Sequence, residues 1–92
     1  MNPEAITASI ITPHAAFEMR RRGLTEEQVY RVLHMPEQRQ EVRLGRVVLQ
    51  SRLSMEEKQY LLRVVVDTDR HPAEVVTVYR TSKIAKYWKD PL

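Results

Sequence analysis

Cysteine is absent from the 92 residues, and glycine occurs only twice, at Gly23 and Gly45. Without thiols there are no disulfide staples and no cysteine nucleophile. Small secreted domains usually need such staples, so a reducing compartment, the bacterial cytoplasm, is expected. Two isolated glycines cannot build a phosphate-binding loop or a dinucleotide fingerprint, which argues against nucleotide-cofactor chemistry. Aromatic residues are also scarce, with one Trp and one Phe. The core must therefore be mostly Val, Leu, Ile, Met and Tyr. No apolar run approaches the ~20 residues that span a bilayer. The start of the chain lacks the basic-then-apolar pattern of a signal peptide, so no membrane association is expected.

Metal chemistry finds little support. His14, His34 and His71 fall on different predicted elements, with no close pair and no metal-binding spacing. No cofactor or metal is expected. Ser9, Ser51, Ser54 and Ser82 lack the strand-turn-helix elbow that exposes a serine nucleophile.

Basic residues are present in modest excess. Lys and Arg number 15 against 12 Asp and Glu, for a net charge of +3. Eleven of the 15 are Arg. Arginine binds phosphate through two parallel N–H groups and stacks on bases, so an RNA partner fits the balance. A well-solvated surface fits it equally.

The pattern of elements is α+β. One domain spanning 1–92 is expected, with its core over about 6–82. Ile6 to Ile11 reads as a short strand. Thr12-Pro13 opens a helix that stops at Gly23. At about 100° per residue, Ala15, Ala16 and Met19 share one face, and His14, Glu18, Arg21 and Arg22 the opposite one. Thr25 to Gln28 has capping-box spacing, and Met35-Pro36 ends the second helix. Strands follow at Gln40–Leu44, Arg46–Leu53, Tyr60–Val66 and Val75–Arg80, giving a sheet of three to four antiparallel strands. Ser54 to Lys58 is a charged turn. Tyr60, Leu62, Val64 and Val66 share one face of their strand, with Leu61, Arg63 and Val65 on the other. An arginine between two apolar neighbours on a central strand is unusual. Residues 83–92 read either as a short helix packed on the sheet or as a frayed basic tail, with Lys83, Lys86 and Lys89 interleaved by Ile84, Tyr87 and Trp88.

What remains for chemistry is His14 and a set of arginines. RNA cleavage without a metal needs a base for the 2′-OH, a cation for the phosphorane and an acid for the leaving oxygen. His14 in the first turn of a helix suits the base or acid role. Arg22, Arg63 and Arg80 suit phosphate clamping. Tyr79 suits proton donation or base stacking. Each residue also has a plain structural reading: His14 as a helix-start residue, Arg21 and Arg22 as a solvated helix end, and Tyr79 as core.

His14-Ala15, Met19 and Arg22-Gly23-Leu24 together resemble the H-A-x-x-R-M-x-x-R-G-[IL] opening of domain-of-unknown-function family 4258. The following helix, Pro36-Glu37, the hairpin at Gly45-Arg46 and Val78-Tyr79-Arg80-Thr81 are similar too. The likeness covers roughly residues 10 to 81. Element order also resembles the RelE-like and barnase-like (BECR) ribonuclease toxins. The resemblance implies a metal-independent endoribonuclease acting on RNA, with the ribosome as one expected place of action, and restrained by an antitoxin protein. Its site would lie on the sheet face and first helix. The implied catalytic residues are His14, Arg22, Tyr79 and Arg80, with Arg21, Arg46, Arg63, Thr81 and Lys83 holding RNA. Glu18 departs from the pattern, which has Arg there; it would set a carboxylate one turn beyond His14. A non-catalytic RNA- or protein-binding module is the alternative expectation.

Overall fold

The computed structural model describes residues 5–90. In chain order it forms β1 (Ser9–Ile11), α1 (Pro13–Arg21), α2 (Glu26–His34), β2 (Gln38–Arg43), β3 (Arg46–Met55), β4 (Lys58–Asp67), β5 (Ala73–Thr81) and α3 (Ile84–Tyr87). The α+β class and the order strand, two helices, sheet are as the sequence suggests. The sheet has five strands in the order β1-β5-β4-β3-β2. The fifth strand arises because β1 joins the sheet itself, parallel to β5, while the other pairings are antiparallel.

Helix ends follow local chemistry. The Thr12 side chain accepts a hydrogen bond from the Ala15 N–H at 3.2 Å, and Pro13 occupies the first turn, where its missing donor is harmless. At the other end Gly23 takes φ +67°, and the Leu24 N–H returns to the Met19 carbonyl at 2.8 Å. In α2, Thr25 and Gln28 form the expected capping box. The first strand is shorter than the sequence suggests. Ile6 instead points into the core and donates its N–H to the Leu33 carbonyl at 2.8 Å, tying the chain to the end of α2.

The helices and the sheet bury one aliphatic core. Ala15 and Met19 of α1 and Val29, Val32 and Leu33 of α2 pack on Val47, Leu49, Leu62, Val64, Val66, Val75 and Val78. The alternation expected for β4 holds, with Leu62, Val64 and Val66 facing the helices. Leu61 and Val48 are buried too, yet lie outside that cluster. They belong to the second face of the sheet, which α3 partly covers. Of the basic C-terminal segment, Ile84–Tyr87 thus forms a short helix on the sheet, and residues 91–92 lie outside the described residues.

The charged turn between β3 and β4 is tighter than expected. Met55 and Lys58 pair directly, leaving Glu56 and Glu57 as the whole loop. Both have positive φ, 51° and 64°. These are the angles of a type I′ turn, which favours Asn-Gly because a Cβ is strained there. Replacing Glu56 by Asn and Glu57 by Gly is expected to stabilise the protein by about 1 kcal/mol. For a domain of this size that raises the thermal midpoint by roughly 5 °C. A calorimetric midpoint that stays put or falls contradicts this account of the turn.

Candidate nucleic-acid interface

The two faces of the sheet separate the residues singled out in the sequence. Register places them. Gln50 lies opposite Arg63, and Arg63 opposite Tyr79, so these three share the second face. Gln38 lies opposite Gln50 and extends the row to the edge strand. Arg80 lies opposite Leu62, on the face turned to the helices.

Arg63 is the centre of the second face. It is only 6% exposed. Its Nε donates to Gln50 Oε1 at 2.9 Å, and its Nη1 donates to the Tyr79 phenolic oxygen. The Tyr87 ring lies over the guanidinium, with its centroid 4.2 Å from Cζ, and the Tyr79 ring flanks it at 5.6 Å. Gln50 is fully buried and uses its whole amide. It accepts from Arg63 and donates to Gln38 Oε1 at 2.7 Å and to the Tyr87 carbonyl at 3.1 Å. Among the described residues no carboxylate pairs with Arg63. Arginine cannot shed its proton, so a permanent cation is held against the sheet by neutral partners only.

A groove of about 580 Å³ opens beside it. Arg63, Tyr79, Val48 and Thr77 line its floor, and Lys86, Tyr87, Trp88 and Lys89 of the C-terminal segment line its wall. The segment is held at its far end by Arg52, whose guanidinium lies 4.3 Å from the Trp88 ring centroid.

The structure brings together only part of the expected site. Arg63, Tyr79 and Arg46 line the groove, and Thr81 lies on the same face. Arg46, however, is engaged by Asp67 through two bonds of 2.6 and 3.1 Å, so its charge is already matched. The Thr81 hydroxyl accepts from the Lys83 N–H at 3.1 Å, and Lys83 stands exposed at the start of α3. His14 is exposed on α1, in the layer on the opposite side of the sheet. Arg80 stacks on Tyr60 at 4.5 Å and donates to the Met55 sulfur at 3.4 Å, again on the helix side. Arg21 and Arg22 both reach Glu18 Oε2 at 3.0 Å. The expected constellation of His14, Arg22, Tyr79 and Arg80 is therefore not one groove. The reason is strand alternation: Tyr79 and Arg80 are neighbours in sequence and must point to opposite faces.

Glu18 also departs from expectation. It turns inward, 9% exposed, and its carboxylate serves Arg21 and Arg22 rather than His14. A single buried carboxylate one helical turn from two arginines draws both, and the helix face shifts accordingly. Gln38 and Gln50 were not singled out by sequence reasoning, and Tyr87 and Trp88 only as residues interleaving the C-terminal lysines. Gln50 carried a signal, as a polar residue at the end of the Val47-Val48-Leu49 run. Gln38 carried none. Among the described residues no group of three or more His, Cys, Asp and Glu is placed to hold a metal ion. No helix among them is long and apolar enough to cross a membrane.

These observations define a class: a small α+β sheet with a helical layer on one face and an arginine-centred, aromatic-walled groove on the other. The family model for a domain of unknown function, DUF4258, matches residues 11–80, and the chain belongs to that family. No curated protein and no solved structure matches the chain.

Ion pairs around the sheet give the protein an acid limit. Hydrogen bonds from Arg46 hold the Asp67 carboxyl below its ordinary value, those from Arg52 do the same for Glu37, and those from Arg21 for Glu18. A carboxylate depressed in the folded state stabilises it above the unfolded pKa and loses that contribution as pH falls through the folded value. Stability is therefore expected to decline below about pH 4. In Asp67→Asn that decline becomes shallower, read as urea midpoints between about pH 2 and 5. An unchanged acid slope in the variant contradicts the assignment.

Proposed function

We propose that this protein binds single-stranded RNA across the second face of its sheet. One observation carries the reading. Arg63 is a nearly buried guanidinium with no carboxylate partner among the described residues, and it opens onto a groove walled by aromatic rings and lysines. Desolvating a cation without a counter-ion is unfavourable unless an anion completes the site. A phosphate supplies that anion. Tyr79 supplies a flat surface of the kind on which an unpaired base stacks. Lys86 and Lys89 are exposed at the groove wall and supply the diffuse attraction that tracks a backbone.

A second reading, cleavage of the bound strand, has a specific observation in its favour. The Tyr79 oxygen accepts its hydrogen bond from Arg63, so its own proton is left to donate into the groove. Beside a guanidinium that stabilises a phosphorane, such a phenol can protonate a leaving oxygen. The Arg63–Tyr79 pair would thus supply the cation and the acid of a metal-independent, toxin-type ribonuclease in place of His14, with solvent water taking the 2′-OH proton. A protein partner of antitoxin type would restrain it by covering the groove.

Binding is tested by anisotropy with a labelled RNA oligonucleotide across a salt series. For single strands the slope of log K against log salt is about −0.7 per phosphate neutralised. Replacing Lys86 and Lys89 together by Ala should make the slope shallower by about 1.4. A slope identical to wild type sinks the lysine assignment, and no binding by the wild-type protein sinks the reading.

Cleavage is tested on the same oligonucleotide with a chelator present. Tyr79→Phe keeps the ring and should retain binding while lowering cleavage by about 100-fold, the lower range for a lost acid catalyst. His14→Ala should leave both unchanged. Loss of cleavage in His14→Ala but not in Tyr79→Phe would return the chemistry to the helix side.

A further inference from the structure

The contacts that hold the C-terminal segment on the sheet have the pattern of a bound base. Gln38 meets the main chain of Lys89 with both ends of its amide. Its Nε2 donates to the Lys89 carbonyl at 2.6 Å, and its Oε1 accepts from the Lys89 N–H at 3.1 Å. Beside it, Gln50 donates to the Tyr87 carbonyl at 3.1 Å. The Tyr87 ring covers the Arg63 guanidinium at 4.2 Å. The segment thus presents a flat ring to a guanidinium plane, with an adjacent donor and acceptor to a glutamine amide.

A purine such as adenine presents the same set. Its ring stacks on a guanidinium, and its N6–H with N7 forms the donor–acceptor pair that a glutamine amide reads with two hydrogen bonds. Its N6–H with N1 repeats that pair on the other edge, so adenine fits in either orientation. Cytosine offers the pair on one edge only and has a smaller ring to stack.

The segment is also built to leave. None of the α3 residues is buried, and no side chain caps its start. Its anchors are the polar and stacking contacts just described and the Arg52–Trp88 stack, rather than the aliphatic core. It lies beyond the 11–80 stretch that the family model matches.

We infer that Arg63, Gln38 and Gln50 form a purine-preferring nucleobase subsite, which the chain's own C-terminal segment fills in the free protein. The inference rests on the RNA-binding reading and adds to it a base preference and a competitor. RNA displaces the segment, with the base replacing Tyr87 on Arg63 and its edge replacing the Lys89 main chain on Gln38. Free protein therefore binds below the intrinsic affinity of the subsite, and loosening the segment raises binding.

The test uses two variants of the full chain and two probes, five-nucleotide oligoadenylate and oligocytidylate. Tyr87→Ala removes the covering ring. Lys89→Pro removes the N–H that Gln38 accepts, and Trp88 is already extended (φ −74°, ψ 129°), as the residue before a proline must be. Lys89→Pro also removes a positive charge, which by itself weakens binding to a polyanion, so a gain there reports release of the segment. Both variants are expected to bind oligoadenylate about tenfold more tightly than wild type, within the range of one bidentate amide–base pair. The gain for oligocytidylate is expected to be smaller. Circular dichroism checks that each variant keeps its fold. Wild type that binds both probes, with no gain in either variant or an equal gain for both probes, overturns the inference alone. Failure of all three proteins to bind either probe overturns the RNA-binding reading with it.

Discussion

A buried guanidinium that cannot lose its proton sets the constraint on which the second face depends. Arg63 sits on the central strand, where an apolar residue would pack without cost. Every neighbour is arranged to tolerate it. Gln50 gives up a buried position to accept from Nε, Tyr79 turns its oxygen toward Nη1, and Tyr87 lays its ring over the plane. Gln50 in turn reaches Gln38 and the C-terminal segment. Four residues from four elements are thus fixed by one charge. A core chosen for stability alone would not contain it, and the proposed RNA binding gives it a role.

The two faces of the sheet then have different work. The helix face is aliphatic and continuous, and it holds the fold together. On that side Arg21 and Arg22 share Glu18, and Arg80 rests on Tyr60 and the Met55 sulfur. At the sheet margin Arg46 is likewise matched by Asp67, and Arg52 by Glu37. On the second face the nearly buried Arg63 is held by neutral partners, with the Tyr87 ring over it. If the second face binds RNA as proposed, stability and recognition lie on opposite sides of one sheet, and exposing the groove need not disturb the core.

Much of the fold was legible because it is locally encoded. Thr12-Pro13, Gly23, the Thr25–Gln28 box and Met35-Pro36 fix helix ends through the residues' own geometry. The alternation of Leu62, Val64 and Val66 against Arg63 marked the central strand and its odd residue. The parallel pairing of β1 with β5 was not legible, since it joins residues more than 60 positions apart by backbone bonds that leave no side-chain signature. The site was legible in part. Arg63 and Tyr79 stood out, but grouping them with His14 and Arg80 needed the face each one occupies. Alternation puts Arg80 opposite Tyr79, and only packing shows that α1 lies on the Arg80 side. Glu18 was misplaced because a helical wheel weighs polarity, and two arginines made a buried carboxylate favourable.

The central claim is that recognition occurs on the Arg63 face, and amide chemical-shift mapping tests it most directly. A labelled sample is titrated with a short single-stranded RNA, and the shifted amides are placed on the structure. The account predicts shifts concentrated at Gln38, Val48, Gln50, Arg63, Thr77, Tyr79 and the Lys86–Lys89 segment. Shifts gathered instead around His14, Arg21 and Arg22 on α1, with the Arg63 row unmoved, would contradict it.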